Sequence, residues 1–158
     1  MKKTIPIIIV ILVLILVIFL NQDDPNIIIT QGENSQEIKA EYIYSYEDSL
    51  TFPSVIRSSG EKPVSVEFKG IELAEFLKSQ NIDLTNSKMI TFNASDGYRI
   101  AVKTEEVLEP KNVYLVYEMD GEKLKAKKNG GTGPFRIVIR RDPFSQRWIK
   151  HLEEILVE

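Results

Sequence analysis

The chain of 158 residues contains no cysteine and a single histidine, His151. Without cysteine there can be no disulfide, no thiolate metal ligand and no thiol nucleophile, so zinc-ribbon and cysteine-protease readings are excluded and stability must come from packed apolar side chains. One histidine cannot build a metal cluster. Set beside Trp148 and Lys150 with Glu153 behind it, His151 reads as structural or exposed, and no Gly-x-Ser-x-Gly elbow supplies a serine for it to activate. Glycine is also sparse, at eight residues. The one glycine-rich stretch, Gly130-Gly131-Thr132-Gly133, runs into Pro134 and a strand pattern, where a phosphate-cradling loop needs Lys-Ser/Thr and a helix. It reads as a turn that lets two backbones approach closely. The adjacent acids Asp23-Asp24, Glu105-Glu106 and Glu153-Glu154 diverge on either a strand or a helix and do not form a carboxylate pair. No catalytic residue and no metal ligand is nominated.

What is present begins with MKKTIPIIIVILVLILVIFL, in which Lys2 and Lys3 precede an uninterrupted apolar run from Ile7 to Leu20. A helix from Thr4 to Leu20 covers roughly 25 Å at about 1.5 Å per residue, short of a typical hydrocarbon core by an amount that bilayer thinning absorbs. Cleavage as a signal peptide would need small residues after the run, where Ile18, Phe19, Leu20 and Asn21 stand instead. Residues 1–20 are therefore expected to be a signal anchor, residues 21–25 (NQDDP) a short hinge, and residues 26–158 one extracytoplasmic domain, single-pass in the cell membrane with its N-terminus inside.

The formal net charge is −3, but its distribution is uneven. Between Lys123 and Lys150 stand nine basic residues, among them Arg136, Arg147 and Lys150, against Asp142 alone. Such a segment can converge on a phosphate, sulfate or carboxylated ligand or rest on anionic headgroups, or it can be a solvated basic face, because strand residues alternate between faces. The acidic remainder and the expected location exclude nucleic acid as a partner.

Periodicity places most elements. NIIIT (26–30) and EIKAEYIY (37–44) are β-branched and aromatic, separated by the turn-like QGENSQ, which predicts paired strands, with a weaker strand over residues 50–57. Val64, Val66 and Phe68 alternate with polar residues in a half-buried strand that ends at Gly70. Leu73, Phe76 and Leu77 then fall at helical spacing, with Asn81 as a left-handed terminator. Asp96-Gly97 and Asp120-Gly121 signal hairpins, and Thr104-Glu105-Glu106 reads as a cap and first turn of a brief helix stopped by Pro110. Residues 135–139 read as a strand, and the tail mixes a helical spacing (Trp148, Leu152, Ile155) with a strand-like end. The expected fold class is α+β, a β-rich mixed-sheet core with few short helices.

From Val64 to Glu158 the order of motifs resembles the molybdopterin-binding domain of the sulfite oxidase type. VEFKGIELAEFL is similar to that family's strand, Gly-Val/Ile-x-Leu and short helix, SDGYRIAV to its Ser-x-Asp-Gly-Tyr hairpin, and EMDGEKL to its Asp-Gly-x-x-Leu turn. GTGPFRIVI is similar to its Gly-Gly-Pro-x-Arg-Leu-Val-Val, and SQRWIKHLEEILV to its Arg-Ser-Val-Lys-Trp-x-x-x-Ile. The resemblance implies a molybdenum-pterin cofactor whose phosphate is contacted by Arg147, Lys150 and Arg136. It also implies a cysteine ligand to molybdenum, which this chain lacks. The expectation is accordingly a non-catalytic relative without cofactor, binding an anionic small molecule or a membrane-protein partner. The alternative is an oxidoreductase or electron-transfer component with an atypical cofactor site.

Overall fold

The computed structural model describes residues 25–158. The expected anchor and residues 21–24 of the hinge lie outside the described residues, and among those described no helix is long and apolar enough to cross a membrane. The described residues form ten strands in two five-stranded sheets, with three short helices at their margins.

One sheet has the order β2-β1-β10-β5-β6 and is mixed. β1 (Asn26–Gln31) and β2 (Asn34–Lys39) pair antiparallel through a two-residue turn at Gly32, whose φ of 59° suits glycine. The turn is thus shorter than the six residues the sequence suggested. The second strand is shorter too, because EIKAEYIY breaks at Ala40 into α1 (Ala40–Tyr44). Ala40 and Ile43, three apart, are both buried, whereas a continued strand would have buried Tyr42, which is exposed.

β5 (Met89–Ala94) and β6 (Arg99–Lys103) form the hairpin expected at Asp96-Gly97. β10 (Leu152–Val157) lies between them and β1, parallel to β1 and antiparallel to β5. The helical spacing read in the tail is corrected here: the pairing of β10 with β5 shifts register between Leu152 and Glu154. The extra residue of this bulge sets Leu152 and Ile155, both buried, three apart on one strand face.

The second sheet runs β3-β4-β7-β8, with β9 also pairing to β7. β3 (Leu50–Ile56) and β4 (Val64–Glu72) are antiparallel, and β4 continues past Gly70, the expected end, because after a register shift at Lys69/Gly70 its Ile71 and Glu72 still pair with Leu115 and Tyr114 of β7 (Val113–Met119). A Cβ on Gly70 would stand 2.4 Å from the Leu115 carbonyl oxygen, so the close approach of β4 to β7 requires glycine. β8 (Glu122–Lys123) follows the Asp120-Gly121 turn, and β9 (Arg136–Ile139) is the strand expected there.

α2 (Leu73–Ser79) buries Leu73, Phe76 and Leu77 fully, and Asn81 beyond its end has φ 60°, both as its spacing predicts. Each such side chain contributes roughly 1.5–3 kcal/mol by leaving water. α3 (Thr104–Leu108) begins at Thr104 rather than being capped by it. Lys103 holds the cap position with its backbone N–H donating to Glu106 (3.3 Å), while the Thr104 hydroxyl shares a hydrogen bond with Ser87 (2.9 Å). All four residues of β9 and the first five of β7 are buried, so this sheet is covered on both faces at its centre.

Candidate functional site

Strand pairing gathers an aromatic and cationic cluster on one face of the second sheet. Phe52 stands opposite Phe68, Gly70 opposite Val116, and Val116 opposite Arg136, so these positions share a face. The rings of Phe52 and Tyr114 lie 4.3 Å apart, and Trp148 meets Phe68 edge-on at 6.0 Å. Two guanidinium groups stack here. That of Arg140 is 5.0 Å from the Phe52 ring centre, and that of Arg136 is 5.3 Å from Phe68.

The Arg136 side chain is the anomaly of this face. The residue is 2% exposed, its Nε is enclosed without a hydrogen-bond partner, and no carboxylate pairs with it among the described residues. Desolvation pulls its pKa down to about 10, which still leaves it a cation at neutral pH. The Phe68 ring offsets part of the cost of that burial, about 2 kcal/mol. An unanswered buried charge costs several kcal/mol.

Lys150 is close to Arg136 along the backbone. Ile137 and Ile149 exchange two hydrogen bonds (2.9 and 3.1 Å) in an antiparallel bridge, which sets Arg136 and Lys150 side by side across it. Lys150 is exposed and forms no ion pair among the described residues.

Arg147, the third residue singled out in the sequence, is turned elsewhere. It donates to both carboxylate oxygens of Glu106 (2.8 and 3.3 Å) and from Nε to Asp142 (3.0 Å), with a further short contact from Nη2 to Asp142. Asp142 and then Glu106 raise the Arg147 pKa above its ordinary value, and the Arg147 hydrogen bond holds Glu106 below the usual carboxylate range. Arg147 thereby ties α3 to the segment that follows β9. Asp142, the lone acid of the basic segment, was the available signal for this arrangement. Glu106 lies 41 residues away and gave none.

His151 is structural, as its isolation in the sequence suggested. It is buried, with φ 55°, and its Nδ1 lies 3.0 Å from the Gly133 carbonyl oxygen. The glycine loop is a close-approach turn: a Cβ on Gly131 would stand 2.0 Å from the Lys125 oxygen, and one on Gly133 2.4 Å from the Leu124 Cβ.

None of the three sequence-nominated cations lines the larger grooves. One of about 650 Å³, between α2 and α3, includes Glu75, Asp83, Glu105, Lys78 and Leu108. Another of about 530 Å³ includes Pro25, Lys39, Glu41, Tyr44 and Lys123. A molybdenum-pterin group needs a metal donor and a deep basic cavity. The sequence has no thiolate to offer, the described residues bring no three His, Asp or Glu side chains together for a metal, and Arg147 is already neutralised by two carboxylates. Such a group, held through a cysteine thiolate, does not fit these residues.

Comparison with known proteins places this geometry. The sulfane dehydrogenase SoxCD from Paracoccus pantotrophus shares the fold, with a TM-score of 0.66 and 16% sequence identity over 84% of this chain. The match covers 37% of the SoxCD chain, so the present chain spans little more than a third of its length. A search of curated proteins returns no match. The family model described as oxidoreductase molybdopterin binding domain matches residues 39–158, which include every strand from β3 onward, both guanidinium stacks and the Arg147 ion pairs, and the chain belongs to that family.

Proposed function

We propose that this member of the molybdopterin-binding domain family is a non-catalytic accessory module that binds a small oxyanion, and that residues 1–20 tether it to the outer side of the cell membrane. Arg136 carries the reading: a cation enclosed beside Phe68 and Trp148, with no carboxylate to answer it, is stabilised when an anion arrives. Lys150, across the bridge at Ile137–Ile149, supplies a second and more accessible charge. Arg147 supports the site as framework, holding α3 against the segment that leads into Trp148.

The test is a phosphate titration of the full-length protein in detergent, with ionic strength matched by chloride. A saturable rise in melting temperature is expected, equivalent to about 2.7 kcal/mol at 100 times the dissociation constant. Arg136→Met should abolish it and Lys150→Gln should weaken it. A rise that survives Arg136→Met, or no rise with either phosphate or sulfate, overturns the reading.

The competing reading, a molybdopterin-dependent oxidoreductase or electron-transfer component, is favoured by family membership alone. Molybdenum, tungsten and pterin analysis of protein purified from its native host decides between them. Stoichiometric metal with pterin would establish the enzyme reading and require a donor other than cysteine.

A further inference from the structure

The described chain enters the domain at Pro25, whose carbonyl oxygen accepts a hydrogen bond from the Ala40 N–H (2.8 Å). Pro25 lines a groove together with Lys39, Tyr44 and Lys123, and the Lys123 ammonium sits 4.0 Å above the Tyr44 ring. A second groove, lined by Lys123, Lys125, Gly130 and Gly131, shares Lys123 with the first, so the two are contiguous. Between Lys125 and Gly130 the chain turns through a short 3-10 segment, Lys127–Asn129, in which Lys127 and Lys128 are exposed. Lys39 and Lys123 thus line the groove where the chain enters, Lys125 lines the one beside it, and Lys127 and Lys128 follow on the same loop; none of the five forms an ion pair among the described residues.

Glu41 and Glu122 line the same grooves, and Asp23 and Asp24 precede Pro25 in the sequence. Glu41 and Glu122 offset Lys39 and Lys123 in these grooves. The residues from Lys123 to Lys128 include no carboxylate, so the uncompensated positive charge is that of Lys125, Lys127 and Lys128. The loop from Lys123 to Lys128 carries no carboxylate, hydroxyl or imidazole, and the grooves are open rather than enclosing. Such a surface suits a flat, diffuse anion better than a single small ligand.

We propose that the loop Lys123–Lys128 is a contact face for anionic lipid headgroups, which seats the domain on the bilayer in one orientation. The proposal rests on the tethering of residues 1–20. The four residues 21–24 then reach at most about 14 Å, so Pro25 and the grooves beside it stay within the headgroup layer or just above it. Each lysine held near an anionic surface favours the seated state about fivefold, and the preference falls with salt.

The test uses the full chain in lipid nanodiscs made of phosphatidylcholine alone or with phosphatidylglycerol, read by backbone hydrogen exchange. Residues 123–131 should exchange more slowly in the anionic discs, about fivefold for each lysine engaged, and high salt should remove the difference. The triple variant Lys125→Gln, Lys127→Gln, Lys128→Gln should exchange alike in both compositions. If the chain co-elutes with both kinds of disc but exchange is independent of lipid charge, or if protection persists in the triple variant, the headgroup face is wrong and the tether stands. If the chain does not co-elute with either disc, the tether itself fails, and this proposal with it.

Discussion

The Arg136 guanidinium is stacked 5.3 Å from the centre of the Phe68 ring, at a position in β9 where Ile137, Val138 and Ile139 beside it are all buried hydrophobics. A cation among such neighbours opposes the stability of the unliganded domain. Its persistence in the fold makes sense if something anionic repays the desolvation on binding.

Arg136→Met is therefore expected to stabilise the anion-free protein, by about 1–3 kcal/mol, because methionine keeps the apolar stem and removes the buried charge. Urea unfolding in phosphate-free buffer measures this. A loss of stability in that buffer would mean that Arg136 already has a compensating partner in the folded protein.

Arg147→Met should have the opposite sign. It leaves Asp142, whose side chain is only 9% exposed, and Glu106 facing each other without a cation. Arg147 is itself 41% exposed and water screens the pair, so the expected loss is about 1 kcal/mol rather than the larger cost of breaking a buried network. In the same experiment Arg147→Met should keep the phosphate-dependent rise in melting temperature, which separates a framework role from ligand contact.

The Glu106–Arg147 pair also sets a pH dependence. The folded protein holds Glu106 below the ordinary carboxylate range, so as pH falls the unfolded chain takes up a proton at this site before the folded one does. The stability contributed by Glu106 is complete above the ordinary value, near pH 4.5, and is lost as pH falls from there through the folded value. Melting temperature followed from pH 7 downward should decline more gently in Glu106→Gln than in the unchanged protein. Parallel curves would show that the pair contributes nothing to acid sensitivity.

Local signals in the sequence carried most of the fold. Leu73, Phe76 and Leu77 announced α2, and the Asp-Gly turns announced both hairpins, because each depends on residues within one or two turns of chain. The errors came where tertiary pairing decided. Tyr42 has the strand propensity of its neighbours, yet burial of Ala40 and Ile43 makes its segment helical. Leu152 and Ile155 look helical only because a bulge against β5 separates them. The site was partly legible. The motifs that resembled the family pointed to Arg136, Arg147 and Lys150, but only strand pairing sets Arg136 beside Lys150, and only the packing of α3 against the segment after β9 brings Glu106 to Arg147.

Gly131→Ala should be strongly destabilising although the loop is polar and partly exposed. The new methyl group would stand 2.0 Å from the Lys125 oxygen, which is backbone and also accepts a hydrogen bond from the Gly133 N–H (2.8 Å). Relief of the overlap would have to part the loop from Leu124–Lys125, at an expected cost of about 2 kcal/mol or more. The comparison is Gly97→Ala, at φ 88° with open space around its Cβ, where the strain is confined to the backbone and the cost is expected to be nearer 1 kcal/mol. Equal losses for the two variants in urea unfolding would show that the loop yields without effort.

The absence of cysteine turns the proposed membrane topology into a simple measurement, since any introduced thiol is the only one in the chain. Lys62 is exposed in the segment between β3 and β4, and Lys2 precedes the apolar run. With an inside N-terminus and an outside domain, Lys62→Cys should react with a membrane-impermeant maleimide in intact cells, whereas Lys2→Cys should react only after permeabilisation. The two lysines ahead of the span predict this order, because positive charge is retained on the cytoplasmic side. The reverse order of labelling would place the domain in the cytoplasm and remove the outward-facing tether, while leaving the Arg136 site open to test on its own terms.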